Sequence, residues 1–202
     1  MSIGFDVDLV GVEGRAWETK GHHDRLWVFA GDNSVADSYE FAQLYVSTRR
    51  VYRMGQRWKF LLRGELGYSH AEVDSLDIVT PDGLIELSIT RLPNFYRFKA
   101  GGSLSVRGYG FETLSNNDVG SNNLVTASAE VELRVLERWS AAAFFDIGNA
   151  FNDWDQPELR KGVGVGVRWY SIAGPIRVDF AKALDVEGKP WRLHFMIGTA
   201  LL

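Results

Sequence analysis

The sequence predicts an all-β protein, an antiparallel transmembrane β-barrel with eight strands in this chain. Three observations lead there. Apolar and polar residues alternate with period two in eight segments, several of them ten residues or more. Short and long connections alternate along the chain. Aromatic residues gather near the strand ends.

The segments follow in order. Ile3, Phe5, Val7 and Leu9 alternate with Gly4, Asp6 and Asp8. Ala42, Leu44 and Val46 alternate, less cleanly, with Phe41, Gln43, Tyr45 and Ser47. Trp58, Phe60, Leu62, Leu66 and Tyr68 oppose Arg57, Lys59, Arg63 and Glu65. Val125, Ala127, Ala129, Val131, Leu133 and Val135 oppose Thr126, Ser128, Glu130, Glu132 and Arg134. Trp139, Ala141, Ala143, Phe145 and Ile147 oppose Ser140, Asp146 and Gly148. Val163, Val165, Val167 and Trp169 oppose Gly162, Gly164, Gly166 and Arg168. Ile176, Val178 and Phe180 oppose Arg177 and Asp179, and Trp191, Leu193, Phe195 and Ile197 oppose Arg192, His194 and Gly198. Soluble strands average about five or six residues, whereas roughly ten are needed to cross a bilayer at a tilt.

Short turns are expected at Met54-Gly55-Gln56, Leu136-Glu137-Arg138 and Ala173-Gly174-Pro175, and longer polar connections near 14–38, 72–122, 152–160 and 185–190. Outer-membrane barrels sort their loops this way, with short periplasmic turns and long outer loops. Trp58, Tyr68, Trp139, Trp169 and Trp191 fit interfacial girdles. Alternation does not say which face is inside, so a soluble sandwich or lipocalin-like barrel binding an apolar ligand stays open here.

Composition fits one domain over residues 1–202. A net charge of -4 argues against a nucleic-acid partner. There is no cysteine, hence no disulfide and no thiolate metal site. Mean hydropathy is -0.13, and no apolar run is long enough for a membrane helix. Met1 to Asp6 lack the cationic and apolar regions of a signal peptide, so either the signal lies upstream or the chain is not exported.

The longest connection, 72–122, carries Gly101-Gly102-Ser103-Leu104-Ser105-Val106-Arg107-Gly108-Tyr109-Gly110. One arginine among so many glycines either decorates a solvated turn or is delivered into the interior. The second reading needs carboxylates, because a buried unpaired charge is costly. Glu130 and Asp146, on the polar faces of neighbouring strands, are the candidates, and a guanidinium fork can bridge two carboxylates. Gly162, Gly164 and Gly166 share one face but lack the spacing and helix of a nucleotide motif, so they mark a smooth wall that another backbone approaches. His22 and His23 read as a solvated loop pair without a third metal ligand. His194 reads as polar-face packing, and Ser103 and Ser105 lack a nucleophile context. No enzyme constellation, cofactor site or metal site is expected.

Four segments carry a resemblance. They are Phe98-Lys99-Ala100-Gly101-Gly102 with Val106-Arg107-Gly108-Tyr109; Phe144-x-Asp146-x-Gly148 with Asn149-Ala150-Phe151; Gly162 to Ser171 with Gly174 to Asp179; and Trp191 to Phe195. Together they resemble the C-terminal half of the barrel in the BamA/TamA superfamily of outer-membrane assembly proteins, the bacterial surface antigen family. The tyrosine of the loop motif and the last strand look closest to TamA. The resemblance implies strands nine to sixteen of a sixteen-stranded barrel in the bacterial outer membrane. It implies that Arg107 docks on Glu130 and Asp146, with Phe144 and Gly148 supporting. It further implies insertion of other barrel proteins or autotransporters by β-augmentation at a weak seam, with no cofactor. The partners implied are outer-membrane lipid, unfolded outer-membrane proteins and a periplasm-spanning protein. The family's periplasmic POTRA domains and first eight strands have no counterpart here, and Thr199 to Leu202 lack a terminal aromatic. A piece of a longer protein is the first expectation. A naturally short member is the second, as a small closed barrel or as two chains completing one barrel. The alternative function is a small passive or structural barrel or pore without insertase activity.

Overall fold

The computed structural model describes residues 2–32, 40–71, 73–80, 83–90, 96–115, 120–172, 174–188 and 190–198. Its main sheet has nine antiparallel strands, one more than the sequence led us to expect. They are β1 (Ser2–Glu13), β2 (Lys20–Asp32), β3 (Glu40–Met54), β4 (Trp58–Ala71), β7 (Asn123–Leu136), β8 (Trp139–Phe151), β9 (Arg160–Ser171), β10 (Gly174–Ala183) and β11 (Trp191–Ile197). They pair in that order as a continuous meander. Two further strands, β5 (Val73–Thr80) and β6 (Gly83–Thr90), form a separate hairpin inside the 72–122 connection.

The strand missing from the sequence reading is β2. Its inner face carries His23, Arg25, Trp27 and Phe29, and its outer face Asp24, Leu26 and Val28. A charge on the outer face and aromatics on the inner face blur period two, so 14–38 reads as a loop. His22 and His23 therefore lie in a strand, on opposite faces, and His23 meets Asp8 at 2.7 Å. With β2 in place the loop sorting becomes cleaner. The strand ends joined by 14–19, 55–57, 137–138 and 172–173 share one end of the sheet, and the strand ends joined by the long connections share the other. The residues 199–202 at the end of the chain lie outside the described residues.

Exposure decides which face is inside. On β9, Val163, Val165 and Val167 are exposed while Gly162, Gly164, Arg168 and Tyr170 are buried. On β8, Ala143 and Phe145 are exposed, while Phe144 and Asp146 are buried. The apolar face points outward and the charged face inward, the reverse of a soluble sandwich and the arrangement of a membrane barrel. Stacked Trp139 and Trp169 mark the short-turn end of the outer face, and stacked Phe180 and Trp191 the loop end. Among the described residues the sheet does not close: β1 and β11 are its two edges. The small closed barrel is thus not formed, because the hydrogen-bonded order runs from β1 to β11 and stops.

Candidate functional site

The site is the place where the loop between β6 and β7 meets the inner wall. The loop is pinned on its way in. Phe98 and Ser121 exchange backbone hydrogen bonds of 2.8 Å, and Ala100 and Leu114 exchange bonds of 2.9 Å. Gly101 takes a φ of 102°, and a Cβ there would lie 2.4 Å from the Gly110 carbonyl oxygen, so only glycine serves. Val106 and Tyr109 are buried in an apolar cluster with Ala100, Leu114, Leu124, Ala150 and Ala183. The Tyr109 hydroxyl donates to the Lys161 carbonyl at 3.1 Å. Burial pushes its phenol above the ordinary value, which keeps it a donor.

Arg107 projects between these anchors and is 1% exposed. Its Nε donates to Asp146 at 2.7 Å and one terminal nitrogen to the same carboxylate at 2.9 Å, a two-point grip. The backbone N–H of Arg107 donates to Asp146 as well, at 3.0 Å. Its other terminal nitrogen donates to Glu130 at 2.6 Å and to Asp179 at 3.2 Å. The guanidinium carbon lies 3.3 Å from the Phe144 ring centroid, so the cation is also stacked on an aromatic face. Burial works against the charge of Arg107. The Asp146 hydrogen bond and the charges of Glu130, Asp146 and Asp179 outweigh it, and its pKa is raised.

The wall is cut to receive this loop. A Cβ on Gly162 would lie 1.9 Å from the Arg107 carbonyl oxygen. One on Gly164 would lie 2.4 Å from the Phe144 ring, and one on Gly166 would lie 2.0 Å from an Asp179 oxygen. Each glycine therefore admits a different part of the site. Gly108, at φ 97°, brings the loop backbone against Lys182 and Ala183 of β10. Gly148 does the same between strands, since a Cβ there would lie 2.5 Å from the Val125 carbonyl oxygen.

The structure thus brings Val106, Arg107, Gly108, Tyr109, Glu130, Phe144 and Asp146 together, with Gly148 in the β8 wall behind them. It adds residues the sequence reading passed over. Asp179 is a third carboxylate for Arg107, and Ser128 bridges the Arg107 and Asp146 side chains. Arg168 and Arg177 both hold Glu130, at 2.8 and 2.6 Å. His194 of β11 accepts the Gly108 N–H at Nε2 over 2.9 Å, and its Nδ1 faces the Ser103 hydroxyl at 3.3 Å. A nitrogen that accepts carries no proton, so His194 sits here as the neutral Nδ1–H tautomer. Alternation on the polar faces of β9 to β11 was the available signal for Arg168, Arg177, Asp179 and His194. It lacked only the knowledge that the loop reaches that far.

Comparison with known proteins agrees with the fold. The outer membrane protein assembly factor BamA of Nitratidesulfovibrio vulgaris is 30% identical over 116 residues, covering 51% of this chain and 14% of that protein. The crystal structure of Haemophilus ducreyi BamA lacking POTRA domains 1–3 superposes with a TM-score of 0.67. That match has 16% identity and covers 96% of this chain and 41% of the solved one. The chain spans well under half the length of either relative. The profile of the Omp85 superfamily domain matches residues 23–201, and the chain belongs to that superfamily of outer-membrane β-barrels.

Proposed function

We propose that this chain is the barrel domain of an outer-membrane assembly or translocation factor, inserting other barrel proteins or autotransporters, with the Arg107 loop as its internal latch. The observation that carries the reading is the burial of Arg107 on Asp146, Glu130 and Asp179. A buried arginine with three carboxylates is costly to assemble and strongly destabilising to break, by about 3–5 kcal/mol on loss of one partner. Such a device suits a loop whose position matters. A passive pore needs an open lumen, whereas here the loop packs against the inner wall of β7 to β10. The edge strand β11 supports strand addition by an unfolded outer-membrane protein, and a second copy completing the barrel is the alternative for a half barrel that stands alone. A periplasm-spanning partner would approach from the short-turn end. The role is one of assembly, with no catalytic residue assigned.

The test reconstitutes the purified chain in liposomes and follows folding of a urea-unfolded barrel protein by heat-modifiable gel mobility. The expected result is acceleration by the parent protein, lost in Arg107→Ala. Conductance through the liposomes with no acceleration would instead support the passive barrel.

A further inference from the structure

The connection between β1 and β2 behaves unlike the other short turns. Its 3-10 turn, Ala16–Glu18, folds inward and leaves Trp17 3% exposed. Ala16 holds a φ of 51°, a conformation that non-glycine residues adopt only where their surroundings impose it. Those surroundings come from the 55–57 turn and from β4 and β9. The Trp17 indole N–H donates to the Gln56 carbonyl at 3.2 Å. The Lys59 ammonium lies 4.5 Å from the Trp17 ring centroid and 4.8 Å from that of Tyr170. The Tyr170 ring meets Trp17 edge-on at 5.7 Å.

This seat runs directly into the groups that hold Arg107. Lys59 donates to the Tyr170 hydroxyl at 3.2 Å, and that hydroxyl donates to Glu132. Arg168 lies 3.8 Å from Glu132 and 2.8 Å from Glu130, which takes Arg107 at 2.6 Å. Among the described residues the buried cations are Lys59, Arg107, Arg168 and Arg177, and the buried carboxylates are Glu130, Glu132, Asp146 and Asp179. Within that set cations and carboxylates match four to four, and Arg63, its side chain 16% exposed, adds a further cation 3.9 Å from Asp146. In a low-dielectric interior, exposing one end to water changes the electrostatic compensation felt at the other. A cavity of ≈ 580 Å³ lies beside the turn and is lined by Lys59, Glu132, Tyr170 and Arg177. A chain entering that mouth would touch the groups that seat Trp17.

We propose that the Trp17 turn positions the Arg107 loop. With Trp17 seated, Lys59 and Tyr170 stay in the network and the loop stays docked. With Trp17 displaced from the short-turn mouth, the loop loosens at the far end. The inference goes beyond the assembly reading, because loop position is measured without any assembly assay.

The protein has no cysteine, so one introduced thiol reports alone. Ser105 lies in the loop with a buried hydroxyl that makes no hydrogen bond, so Ser105→Cys removes no bond. The thiol-labelling rate of the full chain in detergent micelles then measures how often the loop leaves the wall, with Arg107→Ala setting the ceiling. Trp17→Ala is expected to raise the rate by about five-fold or more, and Tyr170→Phe by less. Val51→Ala opens the same cavity wall without touching the network and is expected to leave the rate unchanged. An unchanged rate in Trp17→Ala overturns the proposal, and so does an equal rise in Val51→Ala. If Trp17→Ala does not fold, Trp17→Phe and Tyr170→Phe carry the same comparison, and parental rates in both overturn it.

Discussion

The inner face of β1 and β2 and the inner face of β7 to β10 are written in the same alphabet of alternating charge, yet they do different things. On β1 and β2 the pairs are local. Arg25 meets Asp6 at 2.5 Å, with side chains 45% and 44% exposed, and His23 meets Asp8 across the same strand pair. On β7 to β10, Glu130 gathers three arginines, and Asp146 and Arg168 are fully buried. The difference is the loop. Where the wall stays exposed, charges pair across strands and stay wet. Where Val106 to Tyr109 cover it, water is excluded, and the same residue types become a closed network in which each partner is needed.

That contrast can be tested from its strongest element downward. Arg107→Ala leaves Asp146 and Glu130 buried with one partner fewer and is expected to cost about 3–5 kcal/mol, read from denaturant unfolding in micelles. Asp146→Asn should behave similarly, and the double variant should cost much less than the two singles added, because both remove one interaction. Additive costs would show that the pair is not a unit. Gly162→Ala places a methyl where the Arg107 carbonyl lies, at an expected cost of about 1–3 kcal/mol. A neutral result would mean that the wall yields. His194→Ala strands the Gly108 N–H and should cost about 1 kcal/mol. His194→Gln, whose amide oxygen can accept, should recover part of it. Asp6→Asn, on the wet side, is expected to leave the unfolding curve unmoved. A clear loss there would erase the distinction between the two regions.

Much of this was legible in the residues. The period-two runs placed every strand of the main sheet except β2, whose outward Asp24 and inward Trp27 and Phe29 break the pattern. The β5–β6 hairpin was hidden because it pairs only with itself, inside a stretch that reads as one long connection. At the site, Glu130 and Asp146 were candidates because an arginine delivered into the interior needs carboxylates; the residues alone left a solvated turn open, and the resemblance chose between the two. Asp179 and His194 were not candidates, since their role depends on how far a loop penetrates, and that is a tertiary distance. Trp17 was invisible for the same reason: nothing in Arg15-Ala16-Trp17-Glu18 says that a turn points inward.

The glycines of β9 also act as a key for strand register. Side chains alternate across a strand, so a slip of one residue exchanges the two faces completely. In β9 that would push Val163 and Val165 into the space held by the Arg107 carbonyl and the Phe144 ring, and turn Arg168 toward lipid. Even a slip of two would set the Arg168 side chain where Gly166 now clears Asp179. Of these pairings of β9 with β8 and β10, only the observed one leaves room for the loop, so a docked loop reports that β9 is in register.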